Sequence, residues 1–293
     1  MHMYISDKWI DYEILDAGGG EKLERWGDII VVRPDPQIIW PRMNESIWQK
    51  RHMHYHRSKS GGGSWEFADG KALSGGYRTI KYKNAVFNIK PTDFKHMGLF
   101  PEQAANWDWT TDTIKKSGRK IRILNLFGYT GGATVSCMLA GADVTHVDAA
   151  KGMNRWAKDN IKSSGMEKSP CRVITDDVFK FVQREKRRGS FYDGILLDPP
   201  SYGRGPSGEI WKLENRLYDL LHCCIDILSK QPQFILLNTY TTGFTAAAAE
   251  NVLKYALNNK NRQAANISSG SLGLPIKDSN LILPCGTTCR CVF

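Results

Sequence analysis

The sequence lacks the patterns that mark several large classes of protein. No stretch approaches the roughly 18 uncharged apolar residues of a membrane-spanning helix, so we expect no membrane segment. The seven cysteines include no Cys-x-x-Cys pair and are odd in number, which predicts reduced thiols and a cytoplasmic location. The opening residues carry acids early and contain no apolar core, so no signal peptide is expected there.

Two common phosphate-binding motifs are also absent from the sequence. No G-x-x-x-x-G-K-[ST] loop occurs, which argues against a P-loop NTPase. One Gly-rich turn follows a predicted strand, but its glycines are Gly128, Gly131 and Gly132, and these do not fit the G-x-G-x-x-G register. This mismatch argues against a nucleotide-dependent oxidoreductase.

The composition is that of a folded protein with an excess of positive charge. Hydrophobic residues make up 41% and charged residues 24% of the 293 residues, as in ordinary globular domains. Forty Lys and Arg against 30 Asp and Glu give a net charge of +10, of which +8 falls in residues 118–293. Such an excess favours a polyanionic partner such as nucleic acid, although a basic solvated surface would give the same total.

The pattern of predicted elements changes along the chain. Residues 1–94 resemble a small strand-rich domain with one helix, which Asn44 would cap and which would run over residues 45–56. Residues 95–118 form a connecting segment. Residues 119–293 alternate strands and helices, which is typical of a parallel sheet covered on both faces. The predicted fold class is α/β, a Rossmann-like domain preceded by a small β-rich α+β domain.

Three further elements complete the predicted second domain. A long helix is expected over residues 209–228, after the fourth strand. Two closing strands are expected over residues 263–270 and 280–293, around a Gly-Pro loop.

Polar residues stand at the ends of four successive predicted strands. The Gly-rich turn 125–132 follows the first strand, and Asp148, Asp177 and Asp198 follow the second, third and fourth. Each acid alone could be a helix cap. Ligands of open α/β sheets bind beyond the carboxyl ends of the strands, so the four together indicate a nucleoside site. Since no phosphate-binding motif is present, a nucleoside ligand without phosphates fits better than a nucleotide, and S-adenosylmethionine is one such nucleoside.

The segment Asp198-Pro199-Pro200-Ser201 is the most specific of these motifs. Two consecutive prolines fix φ and remove two N–H donors, which leaves rigid carbonyl groups at the rim of the site. Beside a sulfonium, the Asp198 carboxylate and a carbonyl can hold an acceptor amino group. Methyl transfer is an in-line displacement, so positioning supplies most of its catalysis.

These motifs together resemble a known family. Residues 119–210 resemble class I S-adenosylmethionine-dependent methyltransferases, and NLFGYTGGATV, THVDAA, DDVFKF and YDGILLDPPSYGR are similar to segments of bacterial large-subunit ribosomal RNA methyltransferases. That group makes 5-methylcytosine, N2-methylguanine or N7-methylguanine. Residues 98–103 (GLFPEQ) are similar to its cofactor-covering segment.

The resemblance implies a fold, an activity and partners. The fold would be a seven-stranded, mostly parallel sheet with a closing antiparallel strand. The protein would be an enzyme that uses S-adenosylmethionine and no metal, with RNA, most of all ribosomal RNA, as its partner. Residues 1–94 would be a small RNA-binding domain.

The resemblance also implies roles for individual residues. Asp148 would hold the ribose, Asp177 the adenine amino group, and Val178 or Phe179 would pack on the adenine. The full set of cofactor-binding residues would be Phe100, Gln103, Asn125, Phe127, Gly128, Thr130, Gly131, Asp148, Asp177, Val178, Phe179 and Asp198. The residues facing the acceptor would be Asp198, Pro199, Pro200, Ser201 and Tyr202.

Two departures from the family pattern narrow the substrate. Enzymes that methylate C5 of cytosine need a cysteine nucleophile just after the fifth strand, where this chain has no cysteine over residues 238–243. N6-adenine enzymes usually place an aromatic residue directly after the two prolines, where this chain has Ser201. We therefore expect methylation of a base nitrogen, most of all of guanine in RNA. The alternatives are a protein or DNA methyltransferase, or a non-catalytic RNA-binding protein that keeps the fold.

A group of histidines near residue 54 invites a metal-binding interpretation. On the predicted helix only His52 and His56 would share a face, and no carboxylate lies nearby in the sequence, so no metal is expected. The neighbouring basic and aromatic residues could contact RNA, or the helix could bury its tryptophans. These residues are Trp40, Arg42, Trp48, Lys50, Arg51, Arg57 and Lys59.

Overall fold

The structure, a computed structural model, describes residues 2–58, 62–68, 76, 78–205 and 208–293. The chain forms two compact units. The N-terminal unit comprises residues 5–101 and 274–283, and the C-terminal unit comprises the first four residues, 102–273 and 284–293.

The N-terminal unit is built from strands. After a short first strand, β1 (Met3–Ile5), a five-stranded sheet runs in the order β2-β3-β4-β5-β6 and a separate hairpin pairs β7 with β8. In the sheet β4 and β5 are parallel, and the other pairs are antiparallel. These strands are β2 (Tyr12–Gly18), β3 (Glu21–Trp26), β4 (Ile29–Pro34), β5 (Met53–Arg57), β6 (Gly63–Phe67), β7 (Arg78–Tyr82) and β8 (Ala85–Ile89).

The predicted helix over residues 45–56 is wrong. A 3-10 helix spans Glu45–Lys50, the Asn44 side chain makes no capping hydrogen bond, and β5 begins at Met53. Met53 and Tyr55 are buried, which is the period-2 pattern of a strand. Local capping chemistry at Asn44 suggested a helix, but burial of these two side chains in the sheet decides the structure.

A buried ion pair joins two neighbouring strands of this sheet. Arg33 donates to both carboxylate oxygens of Glu24, over 2.5 and 2.7 Å, and the Tyr12 hydroxyl donates to Oε1 over 2.6 Å. Burial opposes ionisation of Glu24, but the charges of Arg33 and Lys22 outweigh it and hold its pKa at about 2.

The C-terminal unit holds a large sheet covered by helices. The eight strands run in the order β1-β16-β17-β15-β12-β9-β10-β11. Besides β1, these strands are β9 (Arg122–Leu126), β10 (Asp143–Asp148), β11 (Cys171–Thr175), β12 (Gly194–Leu197), β15 (Phe234–Thr239), β16 (Asn266–Pro275) and β17 (Ile282–Val292). The strands β13 (Tyr202–Arg204) and β14 (Ile210–Lys212) form a separate hairpin. The helices are α1 (Ala104–Lys116), α2 (Gly132–Leu139), α3 (Lys151–Ser163), α4 (Val178–Arg188), α5 (Leu213–Asp226) and α6 (Ala246–Asn258), with a 3-10 helix over Pro101–Gln103.

The predicted fold class is confirmed. Five neighbouring strands of the sheet are parallel, namely β11, β10, β9, β12 and β15, and β17 is antiparallel to β15. The central strands β9, β12 and β15 are almost wholly buried and read as near-continuous apolar runs, because helices cover both faces of the sheet. The sheet has eight strands rather than seven, since β1 pairs at its edge beside β16.

The long helix predicted over residues 209–228 is only partly correct. Residues Ile210–Lys212 form β14, which pairs antiparallel with β13, and α5 begins at Leu213. Trp211 is buried, and its indole N–H donates to the Pro200 carbonyl over 2.7 Å. This contact anchors the hairpin to the segment that follows β12.

Candidate active site

Parallel pairing brings the ends of four strands to one edge of the sheet. Leu126, the last residue of β9, is in register with Val147 of β10 on one side and with Leu197 of β12 on the other. Asp148 in turn is in register with Thr175 at the end of β11. The segments that follow these strands therefore start side by side.

The turn after β9 adopts an unusual backbone. Phe127, Tyr129 and Gly131 have φ values of +57°, +51° and +84°, a left-handed region that L-residues other than glycine seldom adopt. Gly131 is the residue before α2, so its N–H and those of the next turn belong to a helix N-terminus. The Asn160 side chain fixes the turn from α3 by donating to the Thr130 carbonyl over 2.8 Å.

Gly128 lies directly on a buried histidine. A Cβ atom at this position would stand 2.3 Å from Cε1 of His146, so only glycine lets the turn approach the ring. The His146 ring nitrogen Nδ1 lies 2.8 Å from the Thr134 hydroxyl, which accepts a hydrogen bond from the Asn125 amide over 2.9 Å. Asn125, predicted to contact the cofactor, is buried and here supports the turn from beneath.

Asp148 is held by the backbone on both sides. Its Oδ2 accepts from the Tyr129 N–H over 2.9 Å, and its Oδ1 accepts from the Ala150 N–H over 2.8 Å. Burial raises the pKa of this carboxyl, and the two N–H groups oppose that rise. Each oxygen keeps a second lone pair, so the oriented carboxylate can accept hydrogen bonds from two hydroxyl groups of a ribose.

Asp177 caps a helix. Its Oδ1 accepts from the Lys180 N–H over 2.8 Å and so caps α4. Val178 is buried in the core, whereas Phe179 is only partly buried and faces the Arg216 guanidinium at 4.3 Å. Of the two residues predicted to pack on adenine, Phe179 therefore presents its ring to a pocket.

That pocket lies on the α4 side of the site. It has a volume of about 310 Å³ and an open mouth. Its lining combines aromatic, charged and polar side chains: Asp177, Phe179, Lys180, Gln183, Glu209, Ile210, Trp211 and Arg216. The mixture of an aromatic ring with an acid suits a flat heterocycle that carries an amino group.

Asp198 stands at the centre of a polar cluster. Its Oδ1 accepts from the Asn238 amide over 2.9 Å, and its Oδ2 accepts from the Gln103 amide over 3.3 Å. Desolvation raises the pKa of Asp198 to about 6; the Asn238 hydrogen bond lowers it, and the nearby Glu102 charge raises it further. The carboxyl is therefore ionised near neutral pH and close to its titration range.

The two proline carbonyls already have partners within the protein. The Pro200 carbonyl accepts from Trp211, and the Pro199 carbonyl lies 3.5 Å from the Thr239 hydroxyl. Ser201 is exposed, with its hydroxyl 2.8 Å from that of Thr241. Tyr202 is 50% exposed at the start of β13. Among the hydrogen-bond acceptors of this segment, the Asp198 carboxylate is thus the one that the fold orients most firmly.

Sequence reasoning missed several polar residues of this cluster. Asn238 and Tyr240 lie at and just after the end of β15, and the Tyr240 hydroxyl accepts from Gln103 over 3.0 Å. Asn106 and Arg290 lie behind Gln103. An asparagine closing the apolar run FILLN of a buried strand was a signal that could have identified Asn238. Phe100, predicted to cover the cofactor, belongs to the N-terminal unit.

Of the basic and aromatic residues near residue 48, Trp48 belongs to the core, whereas Lys50 and Arg57 are exposed. Trp48 is buried and donates to Asp16 over 2.8 Å, with the Arg42 guanidinium 3.9 Å from its ring. Trp40 is half-buried and donates to the Ala17 carbonyl. Lys59 lies outside the described residues. The alternative in which the tryptophans are buried is therefore the correct one for Trp48.

The expectation that no carboxylate lies near the histidines is wrong. Because β5 is a strand, His54 and His56 share a face, and β6 brings Glu66 beside them, with His56 Nε2 2.6 Å from Glu66 Oε2. His54 Nε2 lies 2.6 Å from Glu21 Oε1. The ligand atoms of His54, His56 and Glu66 lie within 4.8 Å of one another.

The site at the sheet edge has the donor set for a cationic nucleoside. Three carboxylates, those of Asp148, Asp177 and Asp198, stand at the ends of parallel strands, where they would repel a phosphate and attract a positive charge. S-adenosylmethionine, a nucleoside with a sulfonium and no phosphate, fits these residues.

The family comparison agrees with this chemistry. Residues 46–239 match the family of S-adenosylmethionine-dependent methyltransferases. The chain belongs to this family. Members of this family take their methyl group from S-adenosylmethionine.

Solved structures give the same answer for the fold. An S-adenosylmethionine-dependent methyltransferase from Agrobacterium tumefaciens is 35% identical, with a TM-score of 0.94 over the whole of this chain and 93% of that one. The structure of SMU.776, solved with S-adenosylhomocysteine, is 18% identical and has a TM-score of 0.74 over 98% of this chain and 76% of that one.

Curated relatives of the methyltransferase are named as ribosomal RNA enzymes. Ribosomal RNA large subunit methyltransferase K/L of Shewanella baltica is 26% identical over 241 residues, which are 79% of this chain and 32% of that protein. Methyltransferase I of Klebsiella pneumoniae is 37% identical over 82 residues, 28% of this chain and 20% of that protein. The chain thus spans a third or less of the length of these relatives.

None of the helices in the described ranges combines the length and apolarity needed to span a bilayer.

Proposed function

We propose that this methyltransferase transfers the methyl group to a base nitrogen of RNA, with guanine in ribosomal RNA as the favoured acceptor. The observation that carries the proposal is Asp198, an oriented carboxylate with a pKa of about 6 between Asn238 and Gln103. The net charge of +10 and the names of the curated relatives favour RNA as the polyanion.

The geometry of Asp198 suits an amino or ring N–H acceptor. The Asn238 amide fixes Oδ1, and Gln103 fixes Oδ2, so the remaining lone pairs point in defined directions. A carboxylate in this position accepts a hydrogen bond from the acceptor nitrogen and holds it on the line of attack. Orientation of this kind contributes several kcal/mol, on the order of 7–11 at its limit.

Asp198 also supplies a place for the released proton. S-adenosylmethionine supplies an activated methyl group on a positively charged sulfur. The acceptor nitrogen attacks the methyl carbon, the N–CH₃ bond forms as the bond to sulfur breaks, and the nitrogen proton passes to Asp198. A pKa of about 6 lets Asp198 be ionised before the reaction and still accept that proton.

The thiols of the chain favour nitrogen over C5 of cytosine. Methylation at C5 needs a thiolate that adds to C6 of the base, but burial raises the pKa of Cys223 and raises that of Cys224 strongly. The charge of Cys285 on β17 raises the pKa of Tyr240, so this thiol lies near the cluster. A Cys285→Ser variant should keep its activity if the acceptor is a nitrogen.

Residues 1–94, most of which belong to the N-terminal unit, are proposed to bind the RNA. On β5 of the five-stranded sheet of the N-terminal unit, His56 and Arg57 are exposed. Phosphate contacts by such residues add affinity without reading sequence.

The test replaces one acid and leaves a matched acid as control. Asp198→Asn should abolish incorporation of tritiated methyl groups into ribosomal RNA while RNA binding and S-adenosylhomocysteine binding stay within about threefold. Asp226→Asn, which changes a partly buried acid outside the cluster that is paired with Lys186 and Lys260, should behave as wild type. Equal activity of Asp198→Asn would remove Asp198 from the mechanism, and incorporation into protein or DNA instead of RNA would overturn the substrate class.

A further inference from the structure

A line of polar side chains runs from a buried arginine to Asp198. Arg290 donates from Nε and Nη2 to the Asn106 Oδ1 over 3.2 and 2.9 Å. The Asn106 amide donates to Gln103 Oε1 over 2.9 Å, and Gln103 Nε2 donates to Asp198 and to the Tyr240 hydroxyl. Asn106 is 2%, Arg290 7% and Gln103 9% exposed, so water competes little for these hydrogen bonds.

The arginine dictates the direction of every hydrogen bond in the line. A guanidinium has donors and no acceptor, so the oxygen of Asn106 must face Arg290 and its NH₂ must face Gln103. The oxygen of Gln103 must then face Asn106, which turns its NH₂ toward Asp198. Reversing any member would place donor against donor.

Burial of the Arg290 guanidinium costs free energy. Its other contacts are the Ala105 carbonyl and the rings of Tyr4 and Trp109, whose centroids lie 3.7 and 5.4 Å from the guanidinium carbon. Within the described residues, none of these contacts is a carboxylate. Burial accordingly lowers the pKa of Arg290 to about 10. A buried cation with neutral partners is a poor way to stabilise a fold, which favours a role in the site.

We propose that Arg290 and Asn106 are positioning residues, which fix the polarity of the Gln103 amide so that it donates to Asp198 and keeps that carboxylate oriented for the acceptor. The catalytic part of this inference rests on the function proposed above. Neither residue touches the reacting atoms.

The polarity of the Gln103 amide also affects the ionisation of Asp198. A donor beside the carboxylate favours the ionised form, whereas the amide oxygen would oppose it. The other groups that face Asp198 are the Asn238 amide, which donates to it, the Glu102 carboxyl, whose charge raises its pKa, and the Tyr240 hydroxyl. A reversed Gln103 amide would thus raise the pKa of Asp198 and move the acid limb of the rate profile to higher pH.

The decisive variant is Asn106→Asp. It keeps the side-chain shape and the contact with Arg290, but an ionised aspartate has no donor for Gln103, so the glutamine amide must turn around. We expect kcat to fall by about 10- to 100-fold, with KM for RNA changed by less than about threefold. A role in packing alone predicts no loss, since shape and charge pairing are preserved.

A second variant distinguishes the effect of the Gln103 amide orientation from the effect of the negative charge introduced at residue 106. In a Gln103→Leu protein, the Asn106→Asp change should have no further effect, because the group through which it acts is absent. An effect that persists in that background would show that the introduced carboxylate acts through space, and would overturn the proposal. Thr288→Val removes only the 3.2 Å donor to Asn106 and leaves Arg290 in place, so it should lower kcat less than about twofold.

A measurement without turnover keeps the inference independent of the substrate. The pKa of Asp198 can be followed by carbonyl NMR of protein with labelled aspartate, assigned with Asp198→Asn. We expect the pKa of Asp198 to be higher in Asn106→Asp than in wild type. In the Gln103→Leu background, the Asn106→Asp change should leave the pKa of Asp198 unaltered. A wild type that methylates no RNA, with this titration as expected, would overturn the proposed function and leave the positioning intact. An unshifted Asp198 would overturn the positioning.

Discussion

Replacement of Gly128 by alanine is expected to damage both cofactor binding and stability. The added methyl group would stand 2.3 Å from Cε1 and 2.5 Å from Nδ1 of His146, where ordinary contacts need at least 3.4 Å. His146 cannot retreat easily, because it is fully buried on β10 and hydrogen-bonded to Thr134. Either the ring or the turn must move.

The structure gives the size of the effect. Overpacking of this kind costs about 1–3 kcal/mol, and a broken buried hydrogen bond between Thr134 and His146 costs about 1 kcal/mol more. If the turn moves, the N–H of Tyr129 leaves Asp148, and affinity for S-adenosylhomocysteine should fall by about 10- to 100-fold, at about 1.4 kcal/mol per factor of ten. If the ring moves, the free energy of unfolding falls instead.

The assay combines calorimetric titration with S-adenosylhomocysteine and urea unfolding. Gly189→Ala is the matched control, since Gly189 ends α4 at a φ of +64° and a Cβ there meets no atom within 4 Å. That control should lose about 1–2 kcal/mol of stability through backbone strain and no affinity. If Gly128→Ala matched the control in both quantities, the contact with His146 would not shape the site.

Three further predictions concern ionisable groups. The pKa of Asp198 is raised from 3.8 to about 6 in the folded protein, so ionisation of this carboxyl destabilises the fold as pH rises through that range. At pH 8 the free energy of unfolding of Asp198→Asn, measured by urea titration, should therefore exceed that of wild type by about 1–3 kcal/mol. At pH 4 it should not exceed it. Glu24→Gln leaves Arg33 buried without its charge partner and should cost about 3–5 kcal/mol at pH 7. In wild type the Glu24 contribution should be lost as pH falls from 4.5 toward 2, so acid unfolding curves of the two proteins should converge there. Burial raises the pKa of Cys289 and Cys291 to about 12, so both should resist thiol reagents at pH 8 until urea unfolds the protein.

The parallel core was predictable because its strands are fully buried. Runs such as ILNL, GILL and FILL have few polar positions, and helices of regular length separate them. The same burial explains why the acids at the strand ends stood out. A carboxylate directly after an apolar strand must lie at the sheet edge.

Short strands and long-range contacts were beyond the sequence. β1 and β14 have three residues each, too few to show a period, and β5 has five, of which Met53 and Tyr55 alone mark the buried face. Arg290 and Asn106 meet across 184 positions of the chain. In the sequence the one local hint is that Arg290 stands between two cysteines that prove to be fully buried.

The measurement that tests the central claim most directly is nucleoside analysis of the methylated product. Ribosomal RNA incubated with the enzyme and labelled S-adenosylmethionine would be digested to nucleosides and resolved by mass spectrometry, with Asp198→Asn as the blank. The oriented Asp198 carboxylate predicts label in a nucleoside methylated on a base nitrogen, with methylguanosine favoured. Label in 5-methylcytidine that disappears in Cys285→Ser would contradict this account.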